Sequence, residues 1–191
     1  MKFQSLLPPL CAASLLLSSA CATTPAGSDG KRSGKDSALV GPVTRETVEA
    51  AVPDWVQAEV ESQPDAEAAH ALASVAPGAE VTVLLGTWCS DSRREVSRLW
   101  KALDETGGAV PFEVHYVGVD GAKREPAESV AANGVLYLPT FIVRRGGREV
   151  GRIVETAPHG IEKDLLALLT GEARGILATR EDLAPSPKPL L

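Results

Sequence analysis

The stretch Gly86-Thr87-Trp88-Cys89-Ser90-Asp91-Ser92 stands between two segments of different periodicity. Before it, 80–85 is a short run rich in Val and Leu, which reads as a buried strand. After it, 92–103 places Val96, Leu99, Trp100 and Leu103 on one helical face and Arg, Glu and Lys elsewhere, which reads as an amphipathic helix. Cys89 therefore sits where a strand hands over to a helix. The first turn of a helix has N–H groups without intrahelical partners and the positive end of a dipole. Both favour a thiolate over a thiol. Arg93 and Arg94 add positive charge one turn on, and Asp91 opposes them.

The pattern continues on both sides. Upstream, 44–62 has near-helical apolar spacing with a break at Pro53, and the Ala-rich 65–75 reads as a further helix. Downstream, 111–120 reads as a strand and 125–133 as a short helix. Thr140–Arg145 and 149–155 flank Gly146-Gly147, a hairpin signal. A final helix covers 160–169 and ends near Gly171. Parallel strands joined by helices, with an antiparallel hairpin, imply an α/β fold: a central mixed β-sheet covered by helices on both faces, with an N-terminal helical extension. Arg144, Arg145 and Arg148 read as a solvated sheet edge. Residues 172–191 turn polar and then Pro-rich, and read as a loose tail.

With 191 residues and 44% hydrophobic content, the chain is long enough for one packed domain plus flanking segments. The net charge of −6 argues against a nucleic-acid partner, which needs a basic surface. No phosphate-binding glycine loop and no Cys/His cluster at ligand spacing is found, so no cofactor and no metal are expected. His70, His115 and His159 are scattered over different segments and read as structural or solvent-facing.

Of the three cysteines, Cys11 and Cys21 lie in the first 21 residues, and only Cys89 lies in the part that reads as folded. Met1-Lys2, an apolar run over 6–17 and the small residues Ser18-Ser19-Ala20 compose a secretory signal, too short to span a membrane. Leu17-Ser18-Ser19-Ala20-Cys21 resembles the lipobox of bacterial lipoproteins. That resemblance implies cleavage after residue 20, a diacylglycerol on the Cys21 sulfur, and a membrane partner reached through the anchor. An ordinary cleaved signal, leaving Cys21 a free thiol, is the other reading. Ala22 after the lipidated cysteine resembles lipoproteins sorted to the outer membrane rather than the inner one. Residues 21–42 then form a flexible tether to a domain over 43–171.

Trp88-Cys89-Ser90-Asp91-Ser92 after a Val/Leu strand resembles the Trp-Cys-x-x-Cys turn of the thioredoxin family. Leu138-Pro139-Thr140 resembles that family's cis-proline loop, which packs beside the reactive sulfur. The resemblance covers about 43–171 and implies a thioredoxin-like fold. Trp88 would shield the turn, while Pro139 and Thr140 would shape the substrate surface. The chain departs from the pattern twice. Ser92 replaces the second cysteine, and Val83 stands where the family often has a buried acid. A dithiol cycle within the domain is therefore excluded. Attack by a single thiolate on protein or small-molecule thiols and disulfides remains, with Cys89 as nucleophile. Disulfide isomerisation fits, as does sulfenic acid chemistry with rescue by a thiol. Ser92 is left with two roles, a hydrogen bond to the thiolate or a helix cap. The rival from another class is a redox-inactive, membrane-tethered binding module that uses the same groove; a thiol-dependent peroxide reductase ranks below both.

Overall fold

A computed structural model describes residues 38–183. The signal segment 1–20 and Cys21 lie outside the described residues, as does 184–191. Three short helices come first after a brief strand: β1 (Gly41–Val43), α1 (Arg45–Ala51), α2 (Asp54–Glu61) and α3 (Ala66–Leu72). Then follow β2 (Ala79–Leu85), α4 (Ser90–Glu105), β3 (Phe112–Gly118), α5 (Ala127–Asn133), β4 (Thr140–Arg145), β5 (Arg148–Val154), α6 (Ile161–Thr170) and β6 (Gly175–Leu177). Local chemistry sets several of these boundaries. Thr44 caps α1 in a reciprocal capping box with Thr47, and Pro53 separates α1 from α2 as expected. Asp65 caps α3 by accepting from the Ala68 N–H. Gly171, at φ +83, closes α6.

The six strands form one mixed sheet in the order β1-β3-β2-β4-β5-β6. β2 and β3 run parallel, with α4 as the crossover; β4 is antiparallel to β2 and to β5. This is the helix-flanked mixed sheet that the sequence implies. On one face, Val81, Val83 and Leu85 of β2 alternate inward with Phe141 and Val143 of β4 and Ile153 of β5. Against them pack Val48 of α1, Trp55 of α2, Leu72 of α3, Val96, Leu99 and Trp100 of α4, and Leu165 of α6. Trp55 and Trp100 meet at 5.4 Å between ring centroids, and Trp100 meets Tyr116 edge-on at 5.9 Å. Each fully buried aliphatic side chain here contributes roughly 1.5–3 kcal/mol.

The other face departs from the expected full cover. Leu84, Val119, Val135, Leu138 and Ile142 form a small second cluster under α5, at the Cys89 end of the sheet. Beyond it Glu80, Thr82, His115 and Arg144 leave the sheet polar and at least partly exposed, because no helix is joined to that half.

Three readings of the chain's edges are corrected. The last two residues of 21–42, read as tether, are in β1, where Gly41 and Pro42 pair antiparallel with Gly118 and Val117. Leu39 also lies so close to Gly118 that any side chain there would collide with the Leu39 carbonyl. Within 172–191, read as loose tail, β6 adds parallel to β5, and a turn of 3-10 helix follows at Glu181–Leu183. A Cβ on Gly151 would fall 2.7 Å from the Gly175 carbonyl oxygen, so this glycine is what lets β6 approach. Arg144 and Arg145 are not at a sheet edge, since β4 lies between β2 and β5, whereas Arg148 is exposed on β5 outside the Gly151–Ile153 stretch that pairs with β6. Arg144 donates to Thr82 and Asn133, and Arg145 donates to the carbonyls of Ala76, Pro77 and Leu169.

Candidate functional site

Strand β2 ends at Leu85, and the chain turns through Gly86-Thr87-Trp88 into α4. The turn is closed by the Cys89 N–H donating to the Gly86 carbonyl at 2.9 Å. Cys89 takes extended dihedrals (φ −94°, ψ 124°) and is the N-cap of α4, while its own carbonyl accepts from the Arg93 N–H. The helix thus begins at Ser90, two residues earlier than its apolar stripe indicates. Cys89 is partly exposed and is the only cysteine among the described residues.

The Leu138–Pro139 peptide bond is cis, and the Leu138 carbonyl oxygen lies 3.5 Å from Cys89 Sγ. Pro139 and Thr140 are both buried, and Thr140 Oγ1 donates to the Tyr137 carbonyl at 2.7 Å. Trp88 is half-buried; its Nε1 donates to the Val119 carbonyl at 3.0 Å, just past β3. The fold therefore brings Trp88, Cys89, Pro139 and Thr140 to one end of the sheet. A shallow hollow of about 90 Å³ opens at the sulfur, bounded by Thr87, Trp88, Cys89, Ser90 and Arg93. A larger one of about 730 Å³ begins at Ser90 and Arg93 and runs between α2 and α4, away from the sulfur. Its walls carry ion pairs and no cysteine, so the smaller hollow is the one that matters for thiol chemistry.

Ser92 takes neither of the roles the sequence left open. It is the third residue of α4, fully buried, and its Oγ accepts from the Gly86 N–H at 3.1 Å. It satisfies a donor of the turn rather than capping the helix or contacting the sulfur. The two arginines are also turned elsewhere. Arg93 pairs with Asp54 at 3.2 Å, and Arg94 pairs with Asp91 at 2.7 Å and Glu95 at 3.0 Å. Burial pushes the Glu95 carboxyl above its ordinary range, against the pull of Arg94. Val83 is fully buried in the main core.

Several site residues carried no signal in the sequence. The Thr87 hydroxyl accepts from the Leu39 N–H at 3.2 Å, tying the turn to the segment before β1. The Glu155 N–H donates to the Pro139 carbonyl at 2.8 Å, and the Arg94 guanidinium donates to Thr156 at 2.9 Å. The loop after β5 therefore touches both the proline segment and α4. Nothing in the chain pointed to Tyr137 or Glu155.

Among the described residues no group of three or more His, Cys, Asp or Glu could hold a metal, and no helix is long and apolar enough to cross a membrane. No family model matches the chain. No curated protein matches it either. Among solved structures, it is similar to a protein of unknown function from Pseudomonas aeruginosa, at 17% identity and a TM-score of 0.48, covering 66% of this chain and 86% of that one. It is also similar to an HIV epitope-scaffold, at 17% identity and a TM-score of 0.47, covering 66% of this chain and 87% of that one.

Proposed function

We propose that this chain is an exported, lipid-anchored protein of the thioredoxin-like class that exchanges thiols and disulfides through Cys89 alone. The observation that carries the reading is the partly exposed Cys89 sulfur at the N-cap of α4, facing the Leu138 carbonyl ahead of cis-Pro139. The helix and strand order around it supports the same class. In the proposed step the Cys89 thiolate attacks one sulfur of a disulfide. The Cys89–substrate S–S bond forms, the substrate S–S bond breaks, and the second sulfur leaves as a thiolate and takes a proton from solvent. With no second cysteine in the domain, a thiol from outside resolves the adduct. When that thiol is the substrate's own, the result is isomerisation with no net change in oxidation state. When it is an external thiol, a second one completes a two-electron reduction of the substrate. Trp88, Pro139 and Thr140 shape the surface that receives the substrate, and Ser92 supports the turn.

A specific observation favours the rival. Arg93, Arg94 and Ser92 all serve partners other than the sulfur, which is what a binding module with an unused cysteine would display. Alkylation separates the two. At neutral pH, Cys89 of the native chain should react with iodoacetamide faster than Cys89 of the urea-unfolded chain, followed at its own peptide by mass spectrometry. It should also form a mixed disulfide with a disulfide-bridged peptide, and Cys89→Ala should abolish that adduct while keeping the circular dichroism spectrum. Slower labelling in the native chain, with no adduct, would leave the binding module. The anchor has its own check. Incorporation of labelled fatty acid should be lost in Cys21→Ala, and persistence of label would remove the assignment of the anchor to Cys21.

A further inference from the structure

The C-terminal segment after β6 meets the Cys89 end of the sheet. Arg180 lies there, and its guanidinium has three partners. It stacks on the Tyr137 ring with its central carbon 3.7 Å from the centroid. It pairs with Glu155 at 3.0 Å and with Asp182 at 2.9 Å. Asp182 in turn accepts from the Tyr137 hydroxyl at 2.8 Å, so ring, guanidinium and carboxylate close a small circuit. Lys123 adds a second tie to the same loop, donating to the Leu136 carbonyl at 2.9 Å with its ammonium 5.5 Å from the Tyr137 ring centroid.

Tyr137 and Glu155 are the two residues that bracket the proline segment. Tyr137 lies two residues before Pro139, and its carbonyl accepts from Thr140. Glu155 donates its N–H to the Pro139 carbonyl, and it does so from the left-handed region at φ +65. A non-glycine residue holds that conformation only where its surroundings over-determine it. The surroundings here are the Arg180 ion pair on its side chain and the Pro139 carbonyl on its N–H. The same loop is held to α4 by Arg94 through Thr156.

We infer that Arg180 is a positioning residue for the Cys89 site: by holding Tyr137 and Glu155 together it sets the Leu138–Pro139 segment against the sulfur. This extends the thiol-exchange reading, because it says what holds the surface on which an extended disulfide substrate lies. A reagent as small as iodoacetamide needs only the sulfur, whereas a peptide disulfide needs that surface in place.

Two readouts on the full chain test it. The first is independent of any activity: hydrogen exchange at the Glu155 amide. Arg180→Ala should speed that exchange about tenfold or more, as expected when a local opening replaces a held hydrogen bond. Tyr137→Phe, which keeps the stacked ring, should leave it near the wild-type rate. The second readout is mixed-disulfide formation between Cys89 and a disulfide-bridged peptide. Arg180→Ala should slow it about fivefold, while iodoacetamide labelling of Cys89 stays within about twofold. Unchanged Glu155 exchange in Arg180→Ala overturns the inference, whatever the chemistry does. Equal slowing toward both reagents also overturns it, because a general loosening rather than a held surface would then be the cause. If the wild type forms no peptide adduct while Glu155 exchange responds as stated, the positioning stands and the thiol-exchange reading falls.

Discussion

Ser92 illustrates how much one hydroxyl depends on its surroundings. Its place three residues after Cys89 invited a role toward the sulfur, yet its oxygen is taken by the Gly86 N–H. That N–H belongs to the tight exit from β2 and is buried, so it needs an acceptor from somewhere. Ser92→Ala removes the acceptor and leaves a buried donor unpaired. The expected cost is about 1–3 kcal/mol in urea-induced unfolding. An unchanged midpoint and slope would show that water or another group takes over. Trp88 is held in a comparable way, by a donor at the tip of a large apolar ring, and this was legible as packing but not as a bond to the Val119 carbonyl just past β3.

A fully buried charge ties α6 to α4 and to the start of α3. Glu162, at the start of α6, is fully buried and accepts from Arg98 of α4 at 2.8 and 2.7 Å and from the Asp65 N–H at 3.0 Å. Burial alone would raise its pKa, but the Arg98 guanidinium and the Asp65 N–H outweigh burial and hold it below the ordinary 4.5. A carboxyl depressed in the folded state contributes stability above its unfolded pKa, and that contribution is lost as pH falls through the folded value. Glu162→Gln should therefore cost about 2–4 kcal/mol at neutral pH, since it strips one partner from a buried pair. The gap to wild type should start to narrow below about pH 4.5 and close as pH falls through the lower folded value, where the wild-type carboxyl also becomes neutral. A gap that stays constant between pH 7 and pH 3 would mean that shape rather than charge is responsible. Glu59 and Glu95 act in the opposite direction. Burial raises both above the ordinary 4.5, so their contribution to stability declines as pH rises through the interval above that value.

The sheet as a whole ends in two very short strands, β1 and β6. Removing residues 172–191 would uncover the edge of β5 and delete the Arg180 contacts at once. The truncated chain should unfold at a lower temperature and associate with rising concentration, because an uncovered strand edge templates pairing. Calorimetry and sedimentation would check this; a monomer with the wild-type midpoint would show that β6 contributes no stability.

The long periodic segments needed only their own residues to be read. The apolar run of β2, the apolar stripe of α4, the break at Pro53 and the Gly146-Gly147 hairpin follow from spacing and backbone preference, and they determined the α/β order and put Cys89 at a strand-to-helix turn. The resemblance placed Pro139 beside it. Tertiary structure alone decided that residues 41–43 and 175–177 join the sheet, that one sheet face is only partly covered, that Ser92 serves Gly86, and that Arg93 and Arg94 turn to carboxylates. It also decided that Arg180 reaches Tyr137 and Glu155. The physical reason is common to all of these. A three-residue strand has no periodicity of its own, and a hydroxyl or guanidinium has no preferred partner until distant parts of the chain bring one within hydrogen-bond reach.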